Sequence, residues 1–390
     1  MTSHVPHDTD SGALREVAHA FAARTLRAAG AQADATGETP WQAVRAAGEL
    51  GLCAPNVPEE YGGPGLRPTV MAAVMEELGW GNFGIAATLG ASALVAAALL
   101  MAGSDEQRRR YLGRLCSCDG PWVGALALTE PDAGSELEIE LPRQAQRLAT
   151  RAERTREGYR LNGAKRFITN GGKADLTLLL AATDPDGGGL SLFLLEQGTP
   201  GLLAGRQMPT MGLRGSYTGE LLLSDCAVAE DARLGPPGDG LKIVLQVLQV
   251  ARTMIASAAV GLARAAFEAA RAYSLERRQF GVPIRDHEFV SGRLARMRLD
   301  IDAARLLVQR AAQDLDAGRD AALPAAEAKL FASEAAVRVT QDALQIHGGY
   351  GFTRDLPLEM WVRDAIVSRI FFGTSEMQML EIARNMDRDA

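Results

Sequence analysis

Cysteine is scarce in this chain, with four residues among 390. Cys53, Cys116, Cys118 and Cys226 are too few and too irregularly spaced for a secreted disulfide framework or a zinc site. Cys116 and Cys118 lie close together, but no second ligand pair accompanies them, so ordinary thiols are the favoured interpretation. We therefore expect no metal site and a protein of the reducing cytoplasm.

Basic residues are outnumbered, with 41 Lys and Arg against 48 Asp and Glu and a formal net charge of -7. The Arg residues are scattered among acidic ones, which argues against a nucleic-acid partner. The polar first residues do not form a cleavable signal. Residues 85–102 carry no charge, but Ala, Gly, Ser and Thr dominate this run, so we expect a buried helix and no membrane span.

A chain of 390 residues, 47% of them hydrophobic, is long enough for two or three domains. Three regions with different residue patterns follow one another along it. Residues 1–120 hold helix formers between Gly-rich breaks and predict an N-terminal helical domain. Residues 121–236 hold short apolar runs between turn clusters and predict a middle β domain. Residues 237–390 predict a C-terminal helical bundle, with long helices over Leu241–Leu275, Asp286–Ala317 and Pro324–Ile346.

The segment Thr129–Ser135, TEPDAGS, follows a predicted strand that ends at Leu128. A tight loop at that point presents backbone amides and hydroxyl groups, which can hold a flat polar ring or a phosphate. Taken alone, the segment is equally well explained as a simple glycine turn.

Four further segments are rich in Gly, Arg, Lys or hydroxyl-bearing residues. Lys165–Gly172 reads KRFITNGG, and Gln345–Phe352 reads QIHGGYGF, whose paired glycines allow close backbone approach. In Glu276–Gly281, ERRQFG, the Arg forks suit phosphate oxygens, although an Arg at a helix C-terminus is stabilising without any ligand. Arg369–Glu376, RIFFGTSE, predicts a helix that begins after Gly373, where free N–H groups favour phosphate.

Together these segments resemble the acyl-CoA dehydrogenase family over nearly the whole chain. The resemblance implies an α+β fold with an N-terminal helical domain, a middle β-barrel or sandwich domain and a C-terminal four-helix bundle. It also implies an FAD-dependent oxidoreductase acting on an acyl thioester, with each FAD held by two subunits of a homotetramer or dimer. Glu288 departs from the family, where many relatives have Gln on the cofactor side.

The resemblance implies two sets of site residues. The cofactor-binding set consists of Leu126, Leu128, Thr129, Gly134, Ser135, Phe167, Thr169, Arg277, Phe280, Gln345, Gly348, Gly349, Thr374 and Glu376. The substrate-binding set consists of Leu89, Leu94, Arg252, Met254, Phe371 and Phe372.

The catalytic base of the family is missing from both of its known positions. Phe372 stands where most relatives carry a Glu before Gly-Thr-Ser, and Ala251 occupies the alternative position before Arg252. A positioned general base contributes roughly two to four orders of magnitude in rate, so the identity of the catalytic residue is left open. Tyr217 is the nearest loop tyrosine, and we expect it to be exposed and without an acid–base role.

Several hypotheses about the function are compatible with the sequence. The first is oxidation of an acyl thioester, in specialised metabolism, with a base from another segment or from the substrate, or with flavin chemistry that needs no deprotonation. The others are a flavin monooxygenase on the same fold and an inactive FAD-binding partner subunit. Gln249 replaces an Asp common near the family's pantetheine channel. The group that carries the acyl thioester is therefore either CoA or an acyl-carrier protein. The electron acceptor, an electron-transfer flavoprotein or oxygen, is also left open.

Overall fold

The computed structural model describes residues 8–120, 122–139, 148–184 and 189–386. The predicted domain limits at residues 1, 121 and 390 lie outside the described residues. The N-terminal region is helical, with α1 Asp8–Phe21, a π-helical stretch Ala22–Leu26, α2 Arg27–Thr36, α3 Trp41–Glu49, α4 Pro68–Gly81, α5 Phe83–Ala102 and α6 Asp105–Leu115.

Local sequence fixes where these helices begin. Asn82 precedes α5, and its side-chain oxygen accepts a hydrogen bond from the Ile85 amide at 2.9 Å. Ser104 and Gln107 form a reciprocal capping box at the start of α6. Each of these contacts satisfies backbone N–H groups that have no partner within the helix itself.

The described residues of the middle region form an eight-stranded sheet. Its strands are β1 Gly124–Ala127, β2 Arg151–Arg154, β3 Gly158–Thr169, β4 Leu176–Ala182, β5 Leu190–Glu196, β6 Leu202–Gln207, β7 Thr218–Ala229 and β8 Arg233–Leu234. Their order in the sheet is β6-β7-β3-β2-β4-β5-β8, with β1 paired in parallel to β4.

Strand β4 is buried on both faces. Leu176, Leu178 and Leu180 belong to the core shared with the helices, whereas Leu179 and Ala181 belong to a second core within the β domain. Side chains of a strand alternate between its faces, so one apolar run serves both cores and joins the β domain to the helical regions.

The C-terminal region contains α7 Gly240–Glu276, a short hairpin of β9 Arg278–Gln279 and β10 Val282–Pro283, and the helices α8 Glu288–Asp316, α9 Ala322–His347, α10 Leu358–Val367 and α11 Ser375–Asn385. The three long predicted helices are thus confirmed. Helix α7 packs against α4, α5, α8 and α9.

Glycines allow the backbones of α4 and α7 to touch. A Cβ atom at Gly79 would lie 2.2 Å from the carbonyl oxygen of Ala258, and one at Gly261 would lie 2.0 Å from that of Glu76. Both distances are far below van der Waals contact, so only glycine fits at these crossings. The N-terminal and C-terminal helical regions therefore meet in direct backbone contact.

Helices α5 and α7 are long and apolar enough to cross a membrane by length and composition alone. In the folded protein, 78% and 83% of their most apolar stretches are buried. Their apolar character is accounted for by the core that they build with the rest of the protein.

Candidate functional site

A cavity of about 600 Å³ opens where the β domain meets the helices. It is lined mainly by apolar groups and brings together residues from three of the predicted segments. The predicted residues that line it are Leu94, Leu126, Leu128, Thr129, Gly134, Ser135, Phe167, Thr169, Phe371, Phe372 and Thr374.

A buried ion pair supports the loop after β1. The Lys165 ammonium on β3 donates to the backbone oxygen of Leu128 at 2.8 Å and to the Glu130 carboxylate at 2.9 Å. Glu130 also accepts the amides of Ala149 and Thr150 at 2.7 and 3.0 Å. These contacts fix the loop at the edge of the cavity.

Burial shifts the titration of this pair. It lowers the pKa of Lys165 to about 8, although Glu130 partly opposes that shift. Burial also works against ionisation of Glu130, but Lys165 and the hydrogen bonds outweigh it and hold the pKa of that carboxyl below its usual range. Both groups are therefore charged at neutral pH, and each depends on the other.

Phe167 is presented to the cavity by an irregularity in β3. The pairing of β3 with β7 shifts register between Lys165 and Ile168, and Phe167 adopts φ +57°. A positive φ is unusual for a bulky residue and marks a conformation that the surrounding structure enforces. The Phe167 side chain is left 57% exposed on the cavity wall.

The segment before α11 is held through its carbonyl oxygens. Arg252 of α7 donates to the Phe372 oxygen at 3.3 Å, and Gln378 donates to the same oxygen at 3.2 Å. Lys329 of α9 donates to the Gly373 oxygen. Phe372 itself has φ +53° and lines the cavity. An aromatic ring thus occupies a tightly fixed position of the wall.

Glu138 also lines this cavity, and sequence reasoning missed it. Its side chain is 13% exposed, and its Oε2 atom is buried without a hydrogen-bond partner among the described residues. Arg252 donates to the Glu138 backbone oxygen at 2.6 Å and lies 4.0 Å from Oε2. Burial raises the pKa of the Glu138 carboxyl above its usual range, and the charges of Arg252 and Lys329 offset only part of that rise.

A second cavity of about 520 Å³ holds the predicted Arg277, Gly348 and Gly349. It shares no lining residue with the first cavity within the described part of the chain. Phe280, three residues after Arg277 in the sequence, is 94% exposed. Gln345 and Glu376 are also exposed. One chain therefore gathers predicted cofactor residues in two separate cavities, whereas Phe280, Gln345 and Glu376 line neither.

Other predicted residues lie away from the cavity surfaces. Leu89, Met254 and Ala251 are buried in the main hydrophobic core and do not line the first cavity, so the structure gives them a packing role. Tyr217 was expected to be exposed, and that expectation is wrong. It is buried, with its ring centroid 6.5 Å from that of Trp41, because the loop before β7 folds onto the helical region.

Sequence reasoning also missed the loop of residues 208–213 and three α10 residues, Arg363, Ile366 and Val367, which line the first cavity. Neither region carries a motif. Glu138 had one available signal, since it is an acidic residue three positions after Ser135 in the cavity loop.

The first cavity fits a flavin. A flat conjugated ring needs an aromatic or apolar wall and polar groups along one edge, and the exposed face of Phe167 and the hydroxyl-bearing Thr129, Ser135 and Thr169 supply both. The N-terminus of α11 beside Thr374 favours phosphate oxygens. Such a cavity, between a β domain and two helical regions, defines a flavin-dependent oxidoreductase.

The sequence matches the acyl-CoA dehydrogenase N-terminal domain over residues 8–119, the middle domain over 125–226 and the C-terminal domain over 238–386. An acyl-CoA dehydrogenase of Bacillus subtilis (strain 168) is 39% identical over 374 residues, which cover 95% of this chain and 96% of that protein.

The solved structures that are similar to this chain include a carrier-protein oxidase and an FAD complex. The prolyl acyl carrier protein oxidase AnaB has a TM-score of 0.91 and 32% identity, covering 97% of this chain and 99% of its own. The FAD complex of PigA has a TM-score of 0.91 and 31% identity, covering 99% and 100%. The chain belongs to the acyl-CoA dehydrogenase family and is an FAD-dependent oxidoreductase.

Proposed function

We propose that this enzyme oxidises an acyl thioester with a base that differs from the two known in its family. The observation that carries the proposal is Phe372, which lines the cavity together with the flavin-type loops. A phenyl ring accepts no proton, and Ala251, at the other family position, is a buried methyl group. When bound, FAD supplies the two-electron acceptor, so the chain itself has to provide binding, orientation and a route for the proton.

The thioester handle is either CoA or the phosphopantetheine arm of a carrier protein. Gln249 donates to Asp320 at 2.8 Å and accepts the Ala321 amide at 2.9 Å, so its amide is occupied by contacts at the start of α9. A neutral, occupied side chain at this position is consistent with a changed handle. Similarity to a carrier-protein oxidase supports the carrier form as well.

A direct test is anaerobic titration of the purified FAD-loaded enzyme with acyl-CoA and acyl-carrier thioesters of increasing chain length. We expect the flavin absorbance to bleach with thioesters of either CoA or the carrier protein, but not both, and with a limited range of acyl groups. Bound FAD that no thioester reduces would contradict oxidation and favour a partner-subunit role. Oxygen uptake coupled to a hydroxylated product would instead favour the monooxygenase. Reoxidation by an electron-transfer flavoprotein or by oxygen then identifies the acceptor.

We further propose that two subunits of a dimer or tetramer complete each FAD site, because two groups of predicted cofactor residues line two separate cavities. The cytoplasm is the proposed location, consistent with the free thiols of all four cysteines.

Mixed oligomers test the shared site. Phe167→Ala and Arg277→Ala should each lower FAD affinity about 10-fold or more in the homo-oligomer, through a lost aromatic face and a lost charge-assisted hydrogen bond respectively. A doubly tagged hetero-oligomer of the two variants should hold FAD at the original affinity in half of its sites, measured by equilibrium dialysis. If each chain held FAD alone, the mixture would contain no intact site and affinity would stay low.

A further inference from the structure

The first cavity contains an acidic side chain that no family position assigns. Glu138 follows the flavin-type loop by three residues, lines the cavity with Phe372, and buries Oε2 without a hydrogen-bond partner among the described residues. Buried carboxylate oxygens are ordinarily hydrogen-bonded, so one without a hydrogen-bond partner on a residue that lines a cavity calls for a role.

Arg252 links this residue to the position of the missing base. Its guanidinium donates to the backbone oxygens of both Glu138, at 2.6 Å, and Phe372, at 3.3 Å. The backbones at residues 138 and 372 are thus both held by one planar group. Glu138 is therefore tied through its backbone to the segment that carries the family's usual base, and its Oε2 atom lies 4.0 Å from the same guanidinium.

We propose that Glu138 is the general base of this enzyme and removes the α-proton of the acyl thioester. The α C–H bond breaks, the proton moves to a Glu138 carboxylate oxygen, and the electron pair stays on the α-carbon as an enolate conjugated with the thioester carbonyl. The step is reversible and consumes no oxidant. This assignment rests on the proposed oxidation of an acyl thioester. The experiment that follows distinguishes a failure of the assignment from a failure of that function.

Proton exchange isolates this step. The probe is the CoA thioester of (methylthio)acetic acid, tested also as the carrier-bound thioester, because its sulfur replaces the β-carbon and leaves no β-hydrogen to oxidise. In D2O, the wild-type holoenzyme should replace the α-hydrogens of the probe with deuterium. Mass spectrometry measures the rate of this exchange. Glu138→Gln should slow exchange at least about 100-fold. The probe carries no cationic group, so the loss cannot come from a missing ionic contact between Glu138 and the probe.

Two variants serve as controls. Glu153→Gln removes an exposed carboxylate from β2 and should exchange like the wild type. Glu138→Asp keeps the carboxylate but shortens its reach, so it should exchange at a rate between those of the wild type and Glu138→Gln. FAD content and the flavin spectrum establish that each variant is folded, and calorimetric titration establishes that the probe binds.

The pH dependence gives a second readout. The charged groups that act on Glu138 are Arg252 of α7 and Lys329 of α9. A base works only when ionised, and the raised pKa of Glu138 places its ionisation above the usual range of a Glu. Exchange should therefore rise with pH through that pKa, and Glu138→Gln should lose the rise. Infrared difference spectra across the same titration should show a protonated carboxyl band that Glu138→Gln lacks, independently of turnover.

The outcomes separate the two proposals. Exchange in the wild type that disappears in folded, probe-binding Glu138→Gln supports the assignment. Undiminished exchange in Glu138→Gln overturns it, and so does absent exchange in a wild type that binds the probe. In either of these last cases, flavin bleaching by an acyl thioester would leave the proposed oxidation standing.

Discussion

Phe372→Glu, introduced into the Glu138→Gln variant, is expected to restore α-proton exchange by about 100-fold or more. The backbone of Phe372 is already fixed by Arg252 and Gln378, so a Glu there would start from the position that the family uses. Exchange of the (methylthio)acetyl thioester, measured in D2O for the single and double variants, gives the result directly.

The same substitution in the wild-type background provides the control. Two carboxylates would then share one cavity, and their repulsion should raise the pKa of one of them, so exchange should rise with pH in two steps instead of one. A double variant that binds FAD and probe but exchanges no faster than Glu138→Gln would show that the cavity no longer places an α-carbon beside residue 372.

Lys165→Met is expected to have the largest effect on stability, a loss of about 3–5 kcal/mol in the free energy of unfolding. Glu130 is buried, and the substitution would leave its carboxylate without its ammonium partner in a region of low dielectric. The loop after β1 would lose its support as well, so FAD affinity should fall together with stability. Urea denaturation of the FAD-free protein measures the first effect, and equilibrium dialysis measures the second.

The ion pair itself is tested with a double-mutant cycle. Lys165→Met should cost less in a Glu130→Gln background, because no uncompensated carboxylate remains. Lys242→Met removes an exposed ammonium from α7 and should change stability by less than about 0.5 kcal/mol. Equal losses for Lys165→Met in both backgrounds would mean that Lys165 acts through packing and not through Glu130.

The overall architecture could be predicted from the sequence because the local pattern of apolar and polar residues determined it. Long Ala- and Leu-rich stretches predicted α7, α8 and α9 closely, and the apolar runs at β4 and β5 were recognised as strands. The family resemblance then supplied the three-part fold and the cofactor, and both are confirmed. Short elements without a strong pattern, such as α2 and α10, were not predicted.

The details of the site could not be predicted in the same way. The exposed position of Phe167 depends on a register shift between β3 and β7, which no local pattern specifies. The position of Glu138 depends on its contact with Arg252, 114 residues further along the chain. Long-range contacts of this kind decide which polar groups share a cavity, and a single sequence does not reveal them.

The glycine crossing of α4 and α7 has a consequence for how a substrate reaches the cavity. Backbones in direct contact leave no room for one helix to slide along the other, and opening them as a hinge would expose tightly packed apolar surface. The two helical regions should then move as a single block during turnover. Access to the cavity should therefore not require these two helices to separate.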